Sequence, residues 1–524
     1  MASRTQHAKR NIITSVINKV VTMLAAFVMR TVLITYLGKL YLGLDSLFVS
    51  ILQILSLAEL GISSALVYSM YKPLAENNTP AICALLKLYR NVYRYIGIAI
   101  AVLGLGITPF LPLIVKDELP GGINLYALYF INLSNTVLSY LCFSYRTSLF
   151  TADQRYSINN NIYTAFKVAS TVAQIAAIII FRDHYYCYYI YSIVLPLTTI
   201  LKNFFAYWLS KKKYPQYVCE GNVSKEEMSG IKKRVAGMFL YKVSFVFRNS
   251  FDSIVLSAFL GLSVLGQYNN YYYVIHAISD VMILVSNSVT ASVGNSIVVE
   301  SKEKNYNDFK KLQLLYMWMS SWLTICILVC LQPFVKMWVG EGMMFNDGIM
   351  IIFCVYFFTT HFSRICYVYR QAAGMWWQDR LRPIAETVIN LSLNILLVKF
   401  IQNPEFKVTG VMFSTIFCIL FIDCTWGART LFKYYFTEEK MSKYMLKLLY
   451  CWGLTAISGA ICYFTCKAIG FEGVKAIIVN GCIATVVSNV IFGVGSSFLP
   501  EFKPSVQFLF KVVGVNKILK KLKK

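Results

Sequence analysis

Long apolar segments dominate this sequence, and they restrict the fold more strongly than any other feature does. Each meets or nearly meets the roughly 20 residues that an α-helix needs to cross the hydrocarbon of a bilayer. The spans predicted in this way are residues 11–36, 42–70, 95–115, 124–150, 157–181, 186–209, 236–260, 268–298, 311–338, 348–371, 383–402, 409–432, 446–469 and 475–497. About fourteen spans joined by short connections predict an all-α polytopic membrane protein.

The composition supports this class and excludes a soluble protein. Hydrophobic residues make up 57% of the chain and charged residues only 14%, whereas soluble domains carry about 25% charged residues. The formal net charge of +25 could also suit a nucleic-acid binder, but such a protein needs a solvated basic face. Here the cations lie mainly between apolar spans, so we expect contact with lipid and none with nucleic acid.

The distribution of lysine and arginine predicts the orientation of the spans. The connections between successive spans form two alternating sets. One set contains about 30 lysine and arginine residues, and the other contains about 4. Basic connections remain on the cytoplasmic side, and an even number of spans then places both termini in the cytoplasm. The longest internal connection, 211–235, is a basic linker on that side.

The two halves of the chain share a short internal repeat. The segment 36–43, YLGKLYLG, ends the first predicted span, and the segment 259–266, FLGLSVLG, ends the seventh. The offset between them is 223 residues. We therefore predict two six-helix halves in the same orientation, an arrangement that occurs in several transporters.

Several spans contain charged residues, which are costly within a bilayer and are usually functional or paired there. Cations are more frequent at depth than carboxylates, so we expect an anionic ligand. The candidate substrate-binding cations are Arg30, Arg146, Lys242, Arg248 and Arg364. The side chain of Arg30 either faces the lumen of the protein or extends to the membrane–water interface.

Three carboxylates are candidates for ion coupling or for pairing with these cations. Asp252 lies four residues after Arg248, on the same helix face, so the two form either a structural ion pair or part of the substrate site. Glu59 either pairs with a cation of the first span or binds a coupling cation. Asp280 follows a tyrosine-rich and asparagine-rich segment, 268–273, that suits either sugar binding or an interfacial aromatic belt.

Catalytic and cofactor-binding motifs are missing from the sequence. There is no P-loop, no GxSxG and no HExxH sequence, and the four histidines and fourteen cysteines show no metal-ligand spacing. We therefore expect no metal, no cofactor and no enzymatic activity. The short outer connections also disfavour a membrane glycosyl polymerase.

Specific segments resemble a known family. They are RTVLITYLGKLYLGLDSLF at 30–48, LAELGI at 57–62, YKPLAE at 71–76, DSIVLS at 252–257, LG at 260–261 and YNNY at 268–271. Together they are similar to the bacterial Wzx-type polysaccharide flippases, which are members of the multidrug/oligosaccharidyl-lipid/polysaccharide exporter superfamily. The resemblance implies two six-helix lobes in a V around a central cavity, followed by two further helices.

The resemblance also implies a function. Such proteins move undecaprenyl-diphosphate-linked oligosaccharide across the bacterial plasma membrane by alternating access, for the synthesis of capsule or exopolysaccharide. Membrane lipid, a polysaccharide polymerase and glycosyltransferases are the implied partners. Deep cations suit a diphosphate, because charge-assisted hydrogen bonds to phosphate oxygens are strong. The alternative is a multidrug-type, cation-coupled efflux transporter of the same superfamily, which would favour acidic sites.

These inferences divide the chain into five parts. They are an N-terminal lobe at 1–210, the basic linker at 211–235, a C-terminal lobe at 236–435, two extra spans at 436–497 and a basic amphipathic tail at 498–524, on the cytoplasmic side.

Overall fold

The structure is a computed structural model that describes residues 4–59, 62–115, 119, 122–153, 155–375 and 377–513. Within these ranges every regular element is a helix. The prediction of an all-α fold is therefore confirmed.

Twenty α-helices follow one another along the described chain. The first ten are α1 (Arg4–Tyr36), α2 (Lys39–Leu55), α3 (Ile62–Ala75), α4 (Thr79–Ile107), α5 (Leu111–Ile114), α6 (Leu125–Leu141), α7 (Thr147–Ala152), α8 (Tyr156–Phe181), α9 (Cys187–Lys213) and α10 (Lys225–Leu260). The others are α11 (Leu262–Val299), α12 (Lys302–Val339), α13 (Asp347–Phe362), α14 (Arg364–Ala372), α15 (Arg382–Phe400), α16 (Pro404–Cys418), α17 (Thr425–Tyr434), α18 (Met441–Ile469), α19 (Gly473–Ser496) and α20 (Phe502–Val513).

Ten helices of the described chain are long and apolar enough to cross a membrane, or eleven if a bent pair at Leu125–Leu141 and Ser144–Ala152 forms one span. The chain is thus a multi-pass membrane protein. The larger number of about fourteen spans stays a prediction, since the spans at 42–70, 236–260 and 268–298 are not among the ten. The first of these is interrupted by a 3₁₀ turn at Ser56–Glu59.

The chain folds into two compact units, residues 1–266 and 267–524. In the first, α1 packs on α8, α8 on α9, α6 on both α4 and α9, and α10 on α2. In the second, α12 packs on α13, α18 and α19, and α15 packs on α16. The sequence places the lobe division at the basic linker, before α10. Those five domain boundaries stay a prediction.

Side-chain caps fix several helix starts on the loops between spans. Asn124 accepts hydrogen bonds from the backbone N–H groups of Tyr126 and Ala127 at 2.9 and 3.2 Å. Asn346 accepts one from Ile349 at 2.9 Å. Such caps satisfy N–H groups that the first turn of a helix leaves without partners.

Four charged residues of the predicted spans lie at irregular points in the helices. Glu59 ends the 3₁₀ turn between α2 and α3, and Arg146 ends the turn between α6 and α7. Arg364 begins α14, and only Ser363 separates it from the end of α13. Asp423 lies in a π-helical turn, Ile419–Cys424, between α16 and α17. Irregular backbone at membrane depth is usually buried in protein or lines a polar cavity, so these four positions are the first places to search for a site.

The internal repeat reappears as a pair of matching turns. Gly38 joins α1 to α2 with φ 91°, and Gly261 joins α10 to α11 with φ 94°, a backbone conformation that favours glycine. A Cβ atom added at Gly43 would overlap the carbonyl oxygen of Leu262, and one added at Gly266 would lie 2.7 Å from the carbonyl oxygen of Lys39. The offset of 223 residues relates Gly43 to Gly266 and Lys39 to Leu262, so the two contacts are equivalent positions of the repeat. The repeated segments therefore pack on each other reciprocally.

The described part of the predicted basic tail, 498–513, contains helix α20, which packs on α12. The rings of Trp318 and Phe502 stack with centroids 6.0 Å apart. Just before α20, the buried carboxylate of Glu501 pairs with Lys447 at 2.7 Å. Residues 514–524 lie outside the described residues.

Candidate functional site

Two cations and one carboxylate meet between the helices of the first unit. Asp45 on α2 lies within electrostatic range of Arg30 on α1 and of Lys167 on α8, and near the hydroxyl of Tyr191 on α9. The three charged side chains are half-buried, whereas Tyr191 is buried. We call these four residues the Asp45 cluster. Its formal charge is positive, because two cations face a single carboxylate.

The helix packing explains why these residues meet although they are far apart in sequence. The helix α1 packs on both α2 and α8, and α8 packs on α9. Arg30 lies in the second half of α1, on the side predicted to be extracytoplasmic. Within apolar surroundings the attraction between these charges is stronger than in water. The cluster therefore holds cations at depth without neutralising all of them.

Glu59 is bound by hydroxyl groups. Tyr93 donates to Oε1 and Tyr140 donates to Oε2, both at 2.7 Å. The Tyr93 hydroxyl is 3.2 Å from that of Tyr89, which is 2.6 Å from the hydroxyl of Ser63. Among the described residues no cation pairs with Glu59. A carboxylate that faces hydroxyl groups and no described cation can attract a cation.

Arg146 is buried and faces backbone carbonyl groups. Its guanidinium donates to the carbonyl oxygens of Tyr214 and Tyr217 at 3.3 and 3.1 Å and to the hydroxyl of Ser210 at 3.3 Å. The hydroxyl of Tyr214 donates to Asp153 at 2.7 Å, and burial and this hydrogen bond raise the pKa of Tyr214. These contacts join the turn before α7 to the end of α9. They assign Arg146 a structural role that its position in the sequence does not reveal.

Arg364, in the second unit, keeps its charge available. Its guanidinium donates to the hydroxyl of Ser286 at 2.9 Å and to the amide oxygen of Asn287 at 3.0 Å, and it lies 4.7 Å from the ring centroid of Tyr367. Among the described residues no carboxylate forms an ion pair with it. A half-buried guanidinium with neutral partners is a suitable binding group for an anion.

The structure describes the remaining candidate residues only in part. The side chains of Lys242 and Arg248 lie outside the described part of the structure, so the pairing of Arg248 with Asp252 stays a prediction. Asp252 itself is buried on α10, and Asp280 is half-buried on α11.

A buried ion network in the second unit was not predicted as a site, although Arg370 is visible as a charge within a span. Arg370 contacts Asp379 at 2.5 Å and Asp423 at 3.7 Å. Arg382 contacts Asp379 at 2.9 Å, Glu386 at 3.2 Å, and also Asp423. Two arginines thus bind three carboxylates at the ends of α14, α15 and α17. The spacing of Asp379, Arg382 and Glu386, three and four residues apart, is the sequence signal that could have indicated it.

The predicted cations that the structure describes thus have different partners and do not form one cluster. Arg30 belongs to the Asp45 cluster and Arg146 binds carbonyl groups, so these two lie in different clusters of the first unit. Sequence reasoning missed Asp45, although it lies only two residues after the glycine-containing repeat. In the part of the chain that the structure describes, no group of three or more histidine, cysteine or acidic residues could hold a metal ion.

Solved structures share this fold. The lipid II flippase MurJ, in an inward closed conformation, matches with a TM-score of 0.62 and 14% identity, over 93% of this chain and 99% of that one. A multidrug resistance MATE family transporter of the MOP superfamily, in an inward-facing conformation, matches with a TM-score of 0.59 and 12% identity, over 78% and 94%. The Vibrio cholerae MATE transporter VcmN, as a mutant, matches with a TM-score of 0.50 and 13% identity, over 83% and 98%.

Sequence comparison gives the family. No curated protein matches the chain significantly. The family described as "Polysaccharide biosynthesis protein" matches residues 8–291, which is more than half of the chain. The chain therefore belongs to the polysaccharide biosynthesis protein family and has the fold of the MOP superfamily, which confirms its resemblance to the Wzx-type flippases.

Proposed function

We propose that this protein is a flippase that moves undecaprenyl-diphosphate-linked oligosaccharide across the bacterial plasma membrane by alternating access. The observation that carries the proposal is the Asp45 cluster, in which the packing of α1 on α2 and α8 brings Arg30 and Lys167 within electrostatic range of one carboxylate. A diphosphate has two or more negative charges and loses water on entering such a site. Cations held at depth lower that cost, because they replace hydration with charge-assisted hydrogen bonds.

Arg364 provides a second cation for the same substrate class. Its partners Ser286 and Asn287 are neutral hydrogen-bond acceptors, so the guanidinium is oriented without being neutralised. An arginine presents several donors in a fixed plane, which fits phosphate oxygens better than a lysine does. The substrate contacts of Lys242 and Arg248 belong to the same proposal.

Glu59 is the candidate for coupling to an ion gradient. Its two tyrosine partners hold the carboxylate in place, and the hydroxyl chain through Tyr93 and Tyr89 gives a proton a path. The expected result is that Glu59→Gln makes the transport rate insensitive to an imposed pH gradient. An unchanged response to the gradient would remove Glu59 from the mechanism.

Transport in vesicles of purified protein tests the substrate assignment. The probe is an undecaprenyl-diphosphate-linked disaccharide, and the measurement is its exposure to a membrane-impermeant lectin on the opposite side. Arg30→Gln and Lys167→Gln should slow exposure at least about tenfold, since each removes a charge-assisted contact. The matched control is Arg182→Gln, since Arg182 is exposed beside Asp183, 3.5 Å away, at the end of α8.

A double variant separates substrate binding from ion-pair loss. Arg30→Gln alone leaves Asp45 with less charge compensation, and misfolding would then imitate lost transport. Arg30→Gln with Asp45→Asn removes both charges. The substrate role is rejected if this double variant transports the lipid at the wild-type rate. The multidrug alternative predicts instead that vesicles expel a cationic dye and ignore the lipid-linked disaccharide.

A further inference from the structure

A groove on the second unit combines cationic, aromatic and apolar side chains. It has a volume of about 580 Å³ and lies between the turn before α15, α15 itself, the π-helical turn, α17 and the first residue of α18. The lining residues on which the argument depends are Ile389, Phe421, Trp426, Arg429, Lys433 and Tyr434. We call it the α15–α17 groove.

The cations of this groove have no acidic partner. Among the described residues no carboxylate pairs with Arg429 or Lys433, and the Lys433 ammonium lies 5.3 Å from the ring centroid of Tyr434. Both cations are exposed. Arg429 and Lys433 are four residues apart and therefore share one face of α17. In contrast, the buried arginines Arg370 on α14 and Arg382 on α15 are bound by carboxylates.

The polarity of the groove changes along its length. Phe421 and Ile389 form an apolar region, Trp426 follows, and Arg429, Lys433 and Tyr434 form the other end. From Phe421 to Lys433 the helix rises about 18 Å at 1.5 Å per residue. One leaflet, with half of a roughly 30 Å hydrocarbon core and its headgroup layer, has a similar depth of about 20 Å. The cationic end belongs to connections 372–382 and 433–445, which are predicted to be cytoplasmic.

We infer that the α15–α17 groove binds one anionic glycerophospholipid of the cytoplasmic leaflet. The headgroup phosphate lies between Arg429 and Lys433, with Trp426 and Tyr434 at the level of the glycerol, as interfacial aromatic residues usually lie. An acyl chain follows Ile389 and Phe421. Each cation near an anionic headgroup contributes about 1 kcal/mol, so two of them give a preference for anionic over zwitterionic lipid of roughly tenfold to thirtyfold.

The occupied groove would also stabilise the second unit. Its walls, α15 and the turn that begins at Ile419, present Arg382 and Asp423 to the buried ion network on their other face. A lipid that bridges these walls therefore supports the helices that hold the network together. This role is separate from transport, because none of the groove residues belongs to the proposed substrate site.

The test uses the full-length protein in detergent with phosphatidylglycerol, phosphatidylcholine or inorganic phosphate added. Native mass spectrometry counts the lipid bound per chain, and the melting temperature reports stabilisation. We expect phosphatidylglycerol alone to bind and to raise the melting temperature. Arg429→Gln with Lys433→Gln should weaken binding roughly tenfold to thirtyfold. Lys211→Gln with Lys225→Gln, which removes two equally exposed cations outside the groove, should change nothing.

Each other outcome contradicts the inference. Equal lipid loss in both double variants would mean that net charge, not the groove, attracts the lipid. Equal binding of phosphatidylcholine would show that the cations do not select a headgroup, and an equal effect of inorganic phosphate would show a simple anion site. Ile389→Trp fills the apolar end while keeping both cations, and it should also displace the lipid. Retained binding in a folded Ile389→Trp protein would reject the acyl-chain position.

Discussion

At the scale of single residues, two arginines in apolar spans have opposite surroundings. Arg146 is buried and uses its donors on the carbonyl groups of Tyr214 and Tyr217. Arg364 is half-buried and donates to Ser286 and Asn287. Since a carbonyl group that loses its partner is costly when buried, we expect the first arginine to contribute to folding. The second is available to a ligand.

This contrast predicts two different variant phenotypes. Arg146→Gln should lower the melting temperature and the amount of folded protein, because two buried carbonyl groups each lose a bond worth about 1–3 kcal/mol. Arg364→Gln should leave both unchanged and reduce transport of the lipid-linked probe at least about tenfold. Thermal unfolding in detergent and vesicle transport measure the two effects. Normal stability in the first variant, or normal transport in the second, would contradict the roles assigned here.

Gly43 is a residue-level test of the internal repeat. A methyl group there would overlap the carbonyl oxygen of Leu262, and that oxygen is backbone and cannot turn away. Alanine is favoured over glycine within a helix by about 1 kcal/mol, but overpacking typically costs about 1–3 kcal/mol or more. We expect Gly43→Ala to lower the melting temperature.

Gly106→Ala is the matched control for this prediction, because nothing lies within 4 Å of the added atom in helix α4. It should leave the melting temperature unchanged or raise it. If Gly43→Ala proved as stable as Gly106→Ala, α2 and residues 262–266 would not pack as closely as the structure shows.

At the scale of helices, the sequence shows where apolar segments and their charges lie, but not where helices break. The π-helical turn at Ile419–Cys424 lies inside one continuous apolar run. Asp423, within this turn, accepts a hydrogen bond from Arg382, which is 41 residues away in sequence. Similarly, Arg30 is recognisable as a deep charge, whereas its partners Asp45 and Lys167 become neighbours only through packing of α1, α2 and α8. Long-range contacts of this kind leave no local pattern.

The buried network of α14, α15 and α17 should dominate the stability of its region. Arg382→Met leaves Asp379, Glu386 and Asp423 without their shared guanidinium. Removing one side of a buried pair costs about 3–5 kcal/mol, so thermal unfolding should shift strongly to lower temperature. Arg380→Met is the control, since Arg380 donates to the backbone carbonyl of Trp377 and forms no ion pair with a described residue. A similar small effect of both changes would show that the network contributes little.

At the scale of the whole molecule, the strongest sequence signal is the asymmetry of basic residues between alternate connections, about 30 against about 4. The basic set includes both ends of the chain and the linker at 211–235. The other set includes 339–347, a connection without lysine or arginine between α12 and α13. Because positive connections stay in the cytoplasm during insertion, these two sets should lie on opposite sides of the membrane.

Reporter fusions test this topology. A reporter that is active only outside the cytoplasm should be silent after Lys524 and active when inserted between Glu341 and Met344. A cytoplasm-specific reporter should give the reverse pattern at both positions, which controls for failed expression. The α15–α17 groove depends on the same orientation, since its cationic end adjoins the connection that begins at Lys433. Activity of the first reporter after Lys524 would invert the protein, and the groove would then face lipids of the outer leaflet.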